Sequence, residues 1–199
     1  MKKFELTNEF ITNMFGTKLF RIRALVEFGD VEAGELGGYV EKESNLGHDD
    51  NAWVYGDARV YDNARVYDNA RVYGDAQVSG DARVYDNARV YGDAWVYDNA
   101  RVYGDAWVYG NARVCGDALV CGDARVCGNG DYAYAHGFGS VNRTTTFFRL
   151  KDGGVGVRCG CFYGTLAQFR DKIRETHGET KKAQEYLMLA DLMKLRFEK

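Results

Sequence analysis

The chain has no proline in 199 residues. Ordinary domains place proline in loops and on strand edges, so its complete absence suggests a backbone whose N–H groups are needed almost everywhere. A surplus of one charge is also missing. Against 26 basic residues stand 29 acidic ones, net −3, which excludes a general polycation and argues against a nucleic-acid partner. No apolar run approaches the roughly 20 residues that a bilayer requires, and mean hydropathy is −0.42; no membrane partner is expected. Met1-Lys2-Lys3 runs into Phe4-Glu5-Leu6-Thr7-Asn8-Glu9 instead of a continuous apolar core, which places the protein by expectation in the cytoplasm, of a bacterial or phage-infected cell. Cys115, Cys121, Cys127, Cys159 and Cys161 form no Cys-x-x-Cys pair, as expected for reduced thiols.

What the chain does have is a period of six. Thirteen hexads run without insertion from Asn51 to Gly128, each reading Asn or Asp, Ala, a variable residue, Val, usually Tyr, then Gly or Asp. Ala and Val alternate with the variable residue and Tyr, so the first pair faces inward and the second outward. Strands this short cannot bury enough surface unless they stack. Gly56, Gly74, Gly92, Gly110 and Gly128 recur every 18 residues, and Asp50, Asp68 and Asp86 do the same. Three hexads therefore complete one coil. The pattern resembles the hexapeptide-repeat left-handed parallel β-helix family. That resemblance implies a mainly β chain: a single-stranded left-handed prism over residues 51–128, an N-terminal β cap over 1–50 and a C-terminal ββαα module over 129–199. Trimerisation is the habit of that family, so it also implies a homo-oligomer.

The 18-residue spacing sorts the outward side chains into columns. Trp53, Arg71, Arg89, Trp107 and Arg125 share one face; Arg59, Gln77, Trp95 and Arg113 a second; Arg65, Arg83, Arg101 and Leu119 the third. Beside the third column run Tyr67, Tyr85 and Tyr103, and these six Arg and Tyr residues form a candidate secondary surface. The simplest expectation is that each Arg covers a Tyr ring and pairs with a corner Asp. A flat recognition surface is the alternative.

Both ends of such a prism need capping. Lys18 to Val26 alternates as a strand, and the stretch from Arg23 to Trp53 resembles the lead-in of bacterial hexapeptide-repeat proteins often labelled transferases. After Gly128 the charge reverses, with residues 129–199 at net +4 against −4 for residues 1–50. Thr144–Leu150 and Val155–Phe162 read as a hairpin turning at Asp152-Gly153. Thr165 with Gln168 makes a capping box for one helix, Gly178 ends it, and a second helix runs from Thr180 to about Phe197. A two-residue loop pairs Phe148 with Val157 and Phe147 with Arg158. That register places Arg143, Phe147, Arg149, Arg158 and Phe162 on one cationic, aromatic face, the candidate site for a ligand or partner. Leu189, Leu192 and Leu195 widen the apolar side of the second helix beyond one stripe, which again suggests self-association. The segment from Arg143 to Phe197 resembles uncharacterised small proteins of bacteriophages and gut bacteria.

The expected function is a non-catalytic oligomeric protein that presents a rigid β-helix and the C-terminal face to a host or phage protein, such as a phage-encoded inhibitor of a host or defence protein. Sequestration of a small anionic or nucleotide ligand is one alternative. An acyltransferase is another, but hexapeptide-repeat acyltransferases generally use a coil histidine as base, and no histidine lies between Asn51 and Gly128. His48, His136 and His177 fall outside the coil, so no cofactor, metal site or catalytic residue is expected.

Overall fold

The computed structural model describes residues 2–198. Three strands open the chain, β1 (Phe4–Thr12), β2 (Lys18–Ala24) and β3 (Leu36–Val40). Thirteen two-residue strands, β4 to β16, follow from Trp53–Val54 to Arg125–Val126, each made of the variable residue and the Val of one hexad. Each strand pairs in parallel with the one 18 residues away, as Arg71 with Arg89 and Arg83 with Arg101, so the chain winds as a parallel β-solenoid with three faces. Every hexad Ala and Val is fully buried. Backbone N–H groups of the variable residue and of Tyr donate to the Ala and Val carbonyls of the next coil, at 3.0 Å from Arg71 to Ala88 and from Tyr73 to Val90. Proline at either position would remove one of these bonds.

The alternation of Gly and Asp at the sixth hexad position has a backbone cause. These corner residues adopt left-handed conformations, with φ of 57° at Asp62, 60° at Asp68, 56° at Asp86 and 57° at Asp98, and glycine at most of the other corners. An L side chain there is disfavoured by about 1–2 kcal/mol unless it can bond locally. Each of these carboxylates does so along the solenoid axis. Asp68 accepts the Asp86 N–H at 3.3 Å, Asp86 accepts that of Gly104 at 3.1 Å, and Asp62 and Asp98 accept those of Gly80 and Gly116 at 3.1 Å.

The first coil forms before the hexads begin. Tyr39 and Val40 pair with Arg59 and Val60, and Leu46 bridges to Val66. Leu46 is eight residues from Val54 where the repeat would need six, so Gly47 to Asp50 bow outward. β1 and β2 extend the Arg59 face as antiparallel strands, and Phe4, Ile22 and Val31 join the solenoid core. β1 was not anticipated from sequence.

The far end is closed by a four-stranded antiparallel sheet of β17 (Tyr132–Phe138), β18 (Arg143–Arg149), β19 (Val155–Cys159) and β20 (Phe162–Thr165), followed by helices α1 (Leu166–His177) and α2 (Lys181–Phe197). The expected hairpin is thus the middle of a larger sheet. Gly160, at φ 58°, breaks what sequence pattern suggested was one strand into β19 and β20. Both helix starts match the sequence reading, with the Thr165 and Gln168 capping box and Thr180 as the second N-cap.

The hairpin register differs from expectation by one residue. Phe147 pairs with Val157, Thr146 with Arg158 and Phe148 with Gly156. The cause lies in the turn: Leu150 N–H donates to the Gly154 carbonyl at 2.9 Å and the Leu150 carbonyl accepts the Gly153 N–H at 3.0 Å, with Gly153 at φ 87°. Leu150 also bridges Ala124 of the last coil, and Lys151 N–H donates to the Asp123 carbonyl at 3.0 Å. Lys151 to Gly153 therefore form a three-residue loop, in place of Asp152-Gly153 alone. A one-residue slip exchanges the faces of one strand relative to its neighbour. Phe147, Val157 and Cys159 now look toward the helices, while Thr146, Phe148 and Arg158 look toward the solenoid end, where Thr146 Oγ1 accepts the Leu119 N–H at 2.9 Å.

Candidate ligand-binding face

The slip disperses the five residues expected to share a C-terminal face. Phe147 is fully buried, and Phe162 packs on Phe169 with ring centroids 5.4 Å apart. Arg149 secures the end of α2: Nη2 donates to the Phe197 carbonyl at 2.9 Å, Nη1 donates to the Gly153 carbonyl at 3.0 Å, and the guanidinium lies 5.2 Å from the Phe197 ring. Arg158 sits on the opposite side of the sheet, donating from Nη1 to the Cys161 carbonyl at 3.3 Å. Arg143 alone of the five is exposed. The combined cationic and aromatic face is therefore corrected to a set of packing and capping roles, with Arg143 left at the rim of the solenoid.

The third solenoid face keeps its side chains on display. Arg65, Arg83 and Arg101 stand in register on consecutive coils and are all exposed. Among the described residues, none of these three guanidinium groups has a hydrogen-bond or ion-pair partner, contrary to the expected pairing with corner aspartates. The geometry of the corners explains this: the carboxylates of Asp68 and Asp86 are turned along the axis to accept backbone N–H groups. Next to the arginines, Tyr67, Tyr85 and Tyr103 stack ring on ring, with centroids 5.0 Å apart and planes within 1°. Stacking along the axis covers both faces of Tyr85 and the inner faces of Tyr67 and Tyr103 with other rings, not with arginines. The arginines that do lie over rings in the repeat use tryptophan, Arg89 and Arg125 on Trp107 at 5.2 and 4.3 Å and Arg113 on Trp95 at 5.8 Å.

Each end of this face opens into a cavity. One, of about 420 Å³, is lined by Arg101, Leu119 and Arg143. The other, of about 610 Å³, lies under the outward bow of Gly47 to Asp50 and is lined by Arg65, Arg83, Tyr67 and His48 among others. Sequence reasoning did not find it. The available signal was the eight-residue step from Leu46 to Val54 in an otherwise six-residue register.

The histidines have local partners. Lys3 N–H donates to His48 Nδ1 at 3.2 Å and the ring stacks on Phe4; His136 Nδ1 lies 2.8 Å from Thr144 Oγ1; His177 stacks on Tyr186. Among the described residues no cluster of His, Cys, Asp and Glu is arranged to hold a metal ion, and no helix is long and apolar enough to cross a membrane. Met188, Leu192 and Leu195 on α2 are exposed.

Packing also sets the tyrosine chemistry. Burial pushes the Tyr55 hydroxyl up to about 12, and hydrogen bonding to Cys115, then burial, does the same for Tyr97. Burial and a hydrogen bond to Cys121 raise Tyr103, and burial and Cys115 raise Tyr132. A raised folded-state value means that the neutral phenol is favoured by folding. This stabilisation is whole below about 10, the unfolded value, and is lost as pH climbs through the folded values. Alkaline titration is therefore expected to show a group of tyrosines ionising only near pH 12, together with loss of the β-sheet circular dichroism signal. Uniform ionisation around pH 10 with the fold intact would contradict this.

No curated protein matches the chain. A family model described as the YdcK Beta solenoid repeat matches residues 64–80, 76–92, 82–98, 94–110, 106–122 and 112–128. Coil geometry and this match agree that residues 64–128 form a β-solenoid repeat.

Proposed function

We propose that this is a non-catalytic binding protein whose Arg65, Arg83 and Arg101 ladder, flanked by Tyr67, Tyr85 and Tyr103, docks a protein partner rich in acidic side chains. The observation that carries this reading is the set of three in-register guanidinium groups without internal partners. Like charges one coil apart repel one another, and an external carboxylate surface would relieve that repulsion. Guanidinium forks suit carboxylates in bidentate geometry, and the Tyr67 and Tyr85 hydroxyls beside them add donors. The solenoid backbone holds both columns rigid, so little ordering entropy is lost on docking. Binding is favoured over catalysis because the corner carboxylates beside the ladder already serve as backbone acceptors, and no histidine stands on the coil to act as base. For the repeat itself we propose the hexapeptide-repeat left-handed form, on the strength of the inward Ala and Val spacing.

Exposed residues without partners contribute little to stability. Replacing Arg65, Arg83 and Arg101 together by Glu is expected to leave the unfolding midpoint within about 1 kcal/mol of wild type and to lower capture of the partner from host lysate by at least about tenfold. Quantitative mass spectrometry against an Arg113→Glu control reads the result. Equal capture by the triple variant would refute the assignment of this face.

A further inference from the structure

We propose that the cavity at the N-terminal end of the Arg65 face is a binding site for a phosphate monoester. The inference rests on the reading above in so far as Arg65 and Arg83 belong to both, and it adds a small-molecule ligand to the face.

The volume, about 610 Å³, lies within the range of small-ligand pockets. Its floor is the solenoid wall, with Arg65 and Arg83 on adjacent coils and Tyr67 beside them. Its rim is Glu43 together with the bowed segment that contains His48, Asp49 and Asp50.

Charge accounting selects the ligand. Two of the three rim carboxylates are already answered by the protein. Asp50 Oδ1 meets Lys3 Nζ at 3.2 Å and accepts the Ala52 N–H at 3.1 Å, while Oδ2 accepts the Asp68 N–H at 2.7 Å. Lys3 is itself nearly inaccessible and donates further to the Asp50 and Ala52 carbonyls at 2.9 and 2.8 Å. Glu43 pairs with Lys2 at 2.5 Å. Asp49 alone then stands against two uncommitted guanidinium groups.

The remaining polar groups are donors. Because Lys3 N–H donates to His48 Nδ1, the neutral imidazole carries its proton on Nε2. The Tyr67 phenol supplies another O–H. A phosphate monoester carries about −1.5 to −2 charge near neutral pH and three terminal oxygens. It can accept a fork from each of Arg65 and Arg83, the two forks sharing one oxygen, and still has lone pairs to accept from His48 or Tyr67. A single carboxylate, with one charge and two oxygens, satisfies only one of the two arginines. A flexible dicarboxylate such as succinate reaches both only by ordering its four-carbon chain, whereas one phosphate concentrates the charge between guanidinium groups on adjacent coils about 4.8 Å apart.

The test is calorimetric titration of the full chain at low ionic strength with ribose 5-phosphate, using ribose and succinate as controls. Saturable binding of ribose 5-phosphate is expected, at least about tenfold tighter than succinate, with no saturable binding of ribose. Arg65→Gln with Arg83→Gln should weaken it by at least about tenfold. Arg101→Gln, outside the cavity, should change it by less than about twofold while weakening capture of the protein partner. The proposal and the docking function can therefore fail separately. Absence of saturable ribose 5-phosphate binding, succinate binding as tight, or an equal loss in Arg101→Gln would overturn the site. The circular dichroism melting curve of each variant shows that it is folded; should the double variant fail to fold, the single Arg65→Gln and Arg83→Gln variants carry the same expectation of weakened binding.

Discussion

Replacing Phe147 by Ala is expected to cost about 3–5 kcal/mol and to unfold the C-terminal module before the solenoid. Phe147 is fully buried at the centre of a core that is separate from the solenoid's and is built of Val157, Phe169, Ile173, Tyr186, Ala190, Met193 and Phe197. Its ring meets Phe169 edge-on at 6.0 Å, and Phe169 in turn meets Tyr186 at 5.8 Å. Removing the ring leaves a cavity that two helices and a sheet cannot close without moving apart. The neighbouring Phe148 belongs to the solenoid core instead. Adjacent phenylalanines thus serve different units, and two probes can separate them. All three tryptophans, Trp53, Trp95 and Trp107, lie in the solenoid, whereas both α-helices lie in the module. In a urea titration of Phe147→Ala, the helical circular dichroism transition should shift to lower denaturant while the tryptophan fluorescence transition stays near wild type. Coincident shifts would show that the two cores unfold as one cooperative unit.

The same residue shows where the sequence was informative and where it was not. Inward Ala and Val, the 18-residue coil and the three outward columns were legible because each hexad repeats the same local problem and is solved in the same way. Helix starts at Thr165 and Thr180 were legible because a cap is a local bond. Phe147 was placed on the wrong face because its register is set by one further loop residue, Lys151, whose N–H bonds the Asp123 carbonyl, a partner remote in sequence. β1 and β17 escaped notice for a related reason, since their partners are β2 and β18 and much of their length is polar or small. As to the candidate face, spacing placed Arg65, Arg83 and Arg101 in one column but could not show that they lack partners. That depends on the left-handed corner conformation, which aims the Asp68 and Asp86 carboxylates at backbone N–H groups and away from the arginines.

A second large effect is expected at Trp53, where replacement by Ala should cost about 3–5 kcal/mol, whereas Trp107→Ala should stay within about 1 kcal/mol of wild type. Both residues occupy the variable hexad position on the same face, so repeat logic alone would treat them alike. Trp107 is partly exposed beneath two arginines. Trp53 is fully buried because the N-terminal cap closes over it. Phe4 and Phe28 meet it edge-on at 6.2 and 5.3 Å. Gly37 packs so closely that a Cβ there would fall 2.7 Å from Trp53 Cζ2 and 2.6 Å from Ile22 Cγ1. Loss of the indole removes the surface on which the cap rests, and lifting the cap bares the end of the prism with its unpaired strand edges. Trp53→Ala should therefore lower the urea midpoint and also promote association between chains, visible as a rise in light scattering at denaturant concentrations where wild type stays clear. Trp53→Phe should recover most of the loss, because it restores aromatic packing and removes an indole N–H that is buried without a partner among the described residues. If Trp53→Ala and Trp107→Ala are equally mild, the cap does not depend on this contact for its hold on the solenoid.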